Sequence, residues 1–325
     1  MVGRVEIAVS RPCATTWRCL ALDLIRLGPQ LSSDSPLLKR VRFHQSWYRS
    51  EILGIADYGA TPPPHSRELG SILTRRHGEG GFNFVSESAQ LAYQVRRKLG
   101  WGVDPVRCQQ YMTSSQALTL NVFGSLFGSM AWLQAVLAQV CDLETGRVRH
   151  AAIEFAPKSP KLHLNDRTLV DAYIELEAVQ RSISVVVETK LADRFSARFL
   201  DVATNPYYER FNDSFGLWNV DAPGFGSRPI DQLARAHALA TSAGKSQAMM
   251  LLIHHPLDTQ TSMVGELYRK TLRDPDKLLI VDLESFFGTM QLCALDEHQV
   301  ATVQRLRRRY TSFAESESYW EARLP

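Results

Sequence analysis

The sequence predicts an α/β fold: a mixed central β-sheet flanked by helices, with a helical N-terminal addition. Three observations carry that prediction. Segments of helical period stand before and after three strand-like runs, Val148 to Phe155, Thr168 to Leu176 and Ser182 to Val187. Short turns between the runs favour antiparallel pairing, whereas the next apolar run, Ala248 to Ile253, follows a helical crossover and can add in parallel. A sheet of that kind is stable when helices cover it, as an α/β or α+β sandwich.

Length and composition permit this. The chain has 325 residues, 45% hydrophobic, 22% charged and 9% aromatic, so a packed core is expected, in one α/β domain with a large addition or in two domains. We divide it into an N-terminal extension (1–40), an addition packed on the core (41–112), the core (113–290) and a C-terminal helical segment (291–325). The five cysteines, Cys13, Cys19, Cys108, Cys141 and Cys293, are odd in number, widely spaced and free of any C-x-x-C. They read as free thiols in a reducing cytoplasm, not as a zinc knuckle or a disulfide framework. Arg11, Arg18, Asp23 and Arg26 interrupt the first thirty residues, so no signal peptide is expected. No run of about 18 apolar residues is present, which argues against a membrane span.

Along the chain, Thr61 to Pro64 reads as a proline loop and His77 to Gly81 as a flexible turn. Ser86 caps a helix running to Leu99, with Gly100 as the stop. Ser114 or Ser115 caps a long helix from Gln116 to Val140, in which Gly124 and Gly128 either admit close backbone contact or break it in two. Thr145-Gly146 is a turn signal, and the three strand runs follow. Prolines and glycines from Pro206 to Pro229 mark long loops. Asp231 to Ala243 is a helix ended by Gly244, Leu278 to Val281 is a further strand, and Asp296 to Tyr310 is a basic amphipathic helix.

The chemistry concentrates in two strands. Val185-Val186-Val187 marks a buried strand that runs into Glu188-Thr189-Lys190. Alternation puts Glu188 and Lys190 on one face. A buried acid and lysine are costly unless they pair, meet water or bind a metal. Asp171, in Val170-Asp171-Ala172, sits on the preceding strand, and a hairpin would bring it to Glu188. Two such carboxylates repel unless a cation lies between them, and Mg²⁺, with Mn²⁺ as the alternative, takes oxygen donors of this kind. Asp171 and Glu188 as metal ligands, with Lys190 to orient water or neutralise charge, suit phosphodiester hydrolysis. The ordinary reading is that Glu188 and Lys190 are a strand-end ion pair and Asp171 a turn residue.

The order helix, strand, strand with Asp171, strand with Glu188-x-Lys190, helix, strand resembles the core of the PD-(D/E)XK (restriction-endonuclease-like) nuclease superfamily. Arg42 to Ser46, Gly81 to Phe84, Ser114 to Leu118, Asn121 to Gly124, Ile153 to Phe155, Val187 to Lys190 and Gln232 to Leu239 resemble a little-characterised bacterial family within it. The resemblance implies that Asp171, Glu188 and Lys190 match the catalytic motif. It makes Glu154 an extra acid on the first strand, against a surface carboxylate or a structural salt bridge, and lets Gln232 face the site, against a helix cap or a solvent-facing residue. Gln116 stands on the first helix where an acid is often found, so a third carboxylate ligand there is not expected.

The net charge of +3 does not by itself announce a nucleic-acid partner. Basic clusters at Lys39, Arg40 and Arg42, at Arg75 and Arg76, at Arg96 to Lys98, and at Arg305 and Arg307 to Arg309 read first as solvated faces, with phosphate contact as the functional alternative. His254-His255 point to opposite faces of a strand, which disfavours a metal pair. Asn205-Pro206-Tyr207-Tyr208 reads as a loop anchored by tyrosines, with base stacking as its alternative. The expectation is therefore a cytoplasmic Mg²⁺-dependent endonuclease acting on DNA, with restriction or defence as its setting, a homodimer allowed for, and no membrane partner. Its rivals are a non-catalytic nucleic-acid-binding protein of the same fold and an RNA- or repair-directed nuclease.

Overall fold

The computed structural model describes residues 25–143, 146–177, 182–244, 246 and 248–323. Residues 1–24 of the proposed extension and Thr145 of the turn signal lie outside the described residues. Helix α1 (Pro36–Trp47), capped by Ser35, passes into one π-helical stretch (Tyr48–Ile52). Strands β1 (Gly59–Ala60) and β2 (Glu68–Leu69) form a small hairpin. Helix α2 (Arg75–Glu79) occupies the segment expected to be a flexible turn, because the Thr74 hydroxyl accepts from His77 N and starts a helical turn. Helix α3 (Glu87–Arg97) begins at the Ser86 cap, and α4 (Pro105–Gln109) at Asp104.

The anticipated long helix is two helices, α5 (Ser115–Phe127) and α6 (Met130–Cys141), bent by 112°. Ser129 caps the second, and Gly128 ends the first. Gly124 serves the packing of helices instead. A Cβ there would lie 2.9 Å from the Ala89 Cα, so only glycine lets α3 and α5 pack this closely. Among the described residues no single helix is long and apolar enough to cross a membrane.

Strands β3 (Arg147–Phe155), β4 (Val170–Glu177) and β5 (Ser182–Lys190) form an antiparallel meander. The chain then makes α7 (Pro206–Phe215) and α8 (Asp231–Gly244) before β6 (Met249–His254) adds in parallel to β5. Helix α9 (Thr259–Arg269) leads to β7 (Leu278–Asp282), parallel to β6. Helices α10 (Leu283–Leu292), α11 (Glu297–Tyr310) and α12 (Glu317–Ala322) complete the chain. The sheet order β3-β4-β5-β6-β7 is the mixed arrangement that the strand and crossover signals predict.

Alternation along β5 sorts the two cores. Val185 and Val187 join Leu118, Phe123, Leu133 and Phe286 beneath α5, α6 and α10. Val186 joins Tyr208, Trp218, Leu233 and Tyr268 beneath α7, α8 and α9. Helix α7 stands where the prolines and glycines point to loop, and α9 and α10 stand where no element is expected. Each starts at a side-chain cap, Asn205, Asp258 and Asp282 respectively, that the polar content of those stretches obscures.

The basic clusters divide: Arg40, Arg42, Arg96 and Arg309 are buried, while Arg75, Arg76, Arg97, Lys98, Arg305 and Arg308 lie on the solvated surface as expected. Arg40 binds Glu317 and the Phe313 carbonyl, and Arg42 binds Asp34 at 2.5 Å with both side chains buried. Arg96 and Arg309 are buried and donate to backbone carbonyls at 153–154 and at Asn83. Arg75, Arg307 and Arg308 pair with Glu79, Glu284 and Glu315. A guanidinium carries five donors, and those of Arg40, Arg96 and Arg309 join segments distant in sequence.

Candidate active site

Register decides which side chains meet. Ile153 pairs with Ala172, and Ala172 with Val187. One step toward the strand ends, the same register sets Glu154 beside Asp171 and Asp171 beside Glu188. Three acids thus form a row on three adjacent strands and line a cleft of about 840 Å³ together with Lys190, Gln116 and Gln232.

Glu188 is 1% exposed. Its Oε1 accepts from Lys190 Nζ at 2.7 Å and from Gln232 Nε2 at 2.5 Å, while Oε2 has no partner. The expected ion pair is real, but Asp171 is a strand residue and not a turn residue. Asp171 Oδ2 accepts from Thr189 N at 2.7 Å and from Thr189 Oγ1 at 3.0 Å. Burial pushes its carboxyl up to about 7, with repulsion from Glu188 adding to the rise and Lys190 opposing it. Burial alone would lower the Lys190 amine, but Glu188 and Asp171 outweigh it and hold it above its usual range. The ammonium also lies 4.8 Å over the Phe195 ring. Lys190 is therefore a firm cation.

Glu154 has a left-handed backbone, φ 51°. That conformation interrupts strand alternation, since Ile153 packs in the α5 core while Phe155 stacks on Tyr173 across the sheet, ring centroids 4.4 Å apart. The buried Arg96 guanidinium fixes this backbone by donating to the Ile153 and Glu154 carbonyls. A non-glycine residue is held left-handed only where its surroundings insist. Glu154 is 3% exposed with Oε1 unpartnered, and burial, then repulsion from Asp171, raises its carboxyl well above the usual range.

Gln232, on the first turn of α8, is more than a cap. Its Nε2 donates to Glu188 while its Oε1 accepts from Ser196 N at 2.7 Å, tying the carboxylate to the loop after β5. Gln116 stands beside Glu154, to whose carboxyl its side chain hydrogen-bonds, and it also accepts from Asp104 N and donates to the Gly102 carbonyl. Asp193 is a residue that sequence reasoning misses. It accepts from Ser115 N at the start of α5 and from Arg107. No local pattern marks it, because its partners lie 78 and 86 residues away. His254 and His255 bind backbone carbonyls and take no place in the cleft.

Among the described residues no three His, Cys, Asp or Glu side chains form a closed metal cage. The donor set is nevertheless of the right kind for a hard divalent cation. Glu188 Oε2 is a buried carboxylate oxygen without a hydrogen bond, beside Asp171 on the next strand.

A family model described as PD-(D/E)XK nuclease superfamily matches residues 32–312. The chain belongs to the PD-(D/E)XK nuclease superfamily. No curated protein and no solved structure matches it. Membership indicates a nuclease, hence a nucleic-acid substrate, in a superfamily that generally uses divalent metal ions. The match begins within the segment assigned to the N-terminal extension and ends beyond α11.

Proposed function

We propose that this superfamily member is a Mg²⁺-dependent endonuclease that hydrolyses phosphodiester bonds in DNA, in the cytoplasm, in restriction or defence. The observation that carries the catalytic part is the Glu188-Lys190 pair with Asp171 beside it, open to a cleft and with Glu188 Oε2 unsatisfied. Asp171 and Glu188 are the residues that would hold the cation. When bound, such an ion supplies Lewis-acid polarisation of a phosphoryl oxygen and acidifies water.

The chain's own groups supply the rest. Lys190, kept protonated by Glu188, donates from Nζ to charge that develops on the phosphate. Thr189 fixes Asp171 through two hydrogen bonds to one oxygen, which leaves Oδ1 for a ligand. Gln232 holds Glu188 in its rotamer while leaving Oε2 uncovered. Burial raises the Glu154 carboxyl well above its usual range, which favours its protonated form beside Asp171.

Supercoiled plasmid and linear DNA are incubated with the purified protein in Mg²⁺, Mn²⁺ or EDTA. Opening of the closed circle in Mg²⁺, abolished by EDTA, is the expected result. Cleavage of RNA but not DNA would replace the substrate while leaving the site, and full cleavage by a folded Glu188→Ala variant would sink the assignment of the site.

A further inference from the structure

The segment between β5 and α7 is unusual in being bound tightly along its backbone while offering charged and aromatic side chains outward. Leu191 N donates to Ser115 Oγ, Ser196 N to Gln232 Oε1 and Leu200 N to Asp231 Oδ1. The Ala197 carbonyl accepts from Arg228 Nη1. The exposed side chains on this frame include Ser196, Arg198 and Phe199. Arg194 lines the cleft together with Arg107 from α4. Arg198 is 58% exposed and touches the buried Asp166 only at 3.6 Å. Phe199 is 37% exposed, and the guanidinium of Arg228 lies 4.9 Å over its ring.

Most arginines elsewhere in the protein are absorbed by carboxylates or carbonyls, and here Arg228 is likewise held by the Ala197 carbonyl, whereas Arg194 is exposed and Arg198 stays largely exposed with only a long contact to Asp166. A firmly held loop presenting guanidiniums matches the phosphates of a polynucleotide in charge. An exposed phenylalanine beside them has no role in phosphate binding. It suits the face of an unpaired base, and a paired base in a duplex does not offer that face. Two acids border the same rim, Asp104 and Asp193. Asp193 is paired with Arg107 and accepts from Ser115 N, whereas Asp104 accepts from the first amides of α4 and remains an exposed negative charge, near Arg107 in the chain and remote in sequence from residues 194–199. Through Ser196, Gln232 and Glu188 the loop is in hydrogen-bonded contact with the acids of the cleft.

We propose that residues 194–199, with Arg228, form the cradle for a nucleic-acid strand with unpaired bases, in which Arg194 and Arg198 take backbone phosphates and Phe199 stacks on a base. The cradle leads that strand to Asp171 and Glu188, so the preferred substrate has a single-stranded segment at the site. This inference rests on the nuclease reading above.

The test measures binding, not cleavage, with the full chain in EDTA. Fluorescence anisotropy is recorded for labelled single-stranded, duplex and forked DNA of one length. Arg194→Ala and Arg198→Ala are expected to weaken all three substrates and to reduce the slope of log affinity against log salt, by about 0.7 per lost phosphate contact on single strands. Phe199→Ala is expected to weaken single-stranded and forked DNA roughly tenfold and duplex DNA less than about twofold, with Phe199→Tyr restoring the loss. Unchanged melting curves show that each variant is folded. Equal effects of Phe199→Ala on duplex and single strands would overturn the stacking role. If the wild type cleaves DNA and the three variants bind as it does, the cradle is wrong and the nuclease stands. If the wild type binds through the cradle but never cleaves, the cradle stands and the catalytic reading falls.

Discussion

At the residue scale, two strongly perturbed acids stand next to one firm cation. Asp171 titrates at about 7 because burial and Glu188 both disfavour its charge. Its folded pKa lies above the unfolded value of about 3.9. The native state therefore binds more protons between about pH 4 and 7, and this group's stabilisation is present below about pH 4 and lost as pH rises through about 7. Buried His44, His237 and His255 act in the opposite sense, since burial lowers them to about 3, 4 and 4 and acid must charge them. A difference measurement separates the two: metal-free wild type minus Asp171→Asn should lose stability as pH rises from about 4 to about 8, read from urea midpoints, with the histidine contribution cancelling. Cation binding should expel a proton from the same group, so the midpoint for Mg²⁺-induced stabilisation should fall as pH rises through about 7. For chemistry, Asp171→Ala, Glu188→Ala and Lys190→Ala are each expected to reduce single-turnover cleavage by at least about two orders of magnitude, in the range for lost charge stabilisation. Retention of fold by circular dichroism is required for that comparison.

At the scale of elements, the site depends on how helices meet strand ends. α5 brings Ser115 and Gln116 to the cleft, and its position is set by close packing on α3 at Gly124. Gly124→Ala would force a methyl to 2.9 Å from backbone, which cannot move aside as a flexible side chain does. A loss of about 1–3 kcal/mol in urea unfolding is expected. Arg96, on the last turn of α3, holds the left-handed Glu154. Arg96→Ala removes donors from two buried carbonyls, which costs about 1–3 kcal/mol for the first group left unpaired. Because α3 positions Glu154 through this arginine, the variant should also shift the pH dependence of stability, whereas a purely structural arginine would change the midpoint equally at every pH.

At the scale of the whole molecule, the terminal segments are continuous with the nuclease core. Val303, Leu306 and Tyr310 of α11 share a core with Val185, Val187 and Leu251. Arg309 donates to the Asn83 carbonyl at 2.8 Å, and Tyr310 accepts at its hydroxyl from Asn121 at 2.7 Å. His44 and His255 both reach carbonyls of α11. Removing the chain beyond residue 290 would take the partners of His44 on α1 and of His255 after β6, and part of the bonding of Asn83 and Asn121. Truncation after residue 290 is therefore expected to yield insoluble or unfolded protein, as judged by gel filtration and circular dichroism. Recovery of a folded, monodisperse fragment would show that α11 is dispensable. Arg309→Leu, a single buried charge removed, should cost about 3 kcal/mol in the full chain, read from urea midpoints.

The sequence alone determined the strands of the sheet and part of its helical cover, α5, α6 and α8 but not α7, α9 or α10, because period is local: valines at 185 to 187 mark a buried strand without reference to any partner. It also determined that Glu188 and Lys190 share a face, since alternation over two residues needs no partner. The capped helices at Ser86, Ser114 and Asp296 were legible for the same reason. Other features are not local. Gly124 and Gly128 allowed either close contact or a break, and the structure uses both, Gly124 for contact with α3 and Gly128 for the break, a division that only the packing of the helices decides. Whether an arginine is a solvated charge or a buried clamp depends on carbonyls more than fifty residues away, as Arg96 and Arg309 show. The place of Gln232 is set by two hydrogen bonds to partners that no local pattern names. The row Glu154, Asp171, Glu188 exists only through the registers of three strands and the left-handed turn of one residue. Those are set by the packing of the whole sheet, and tertiary structure alone decided that these acids open onto a cleft.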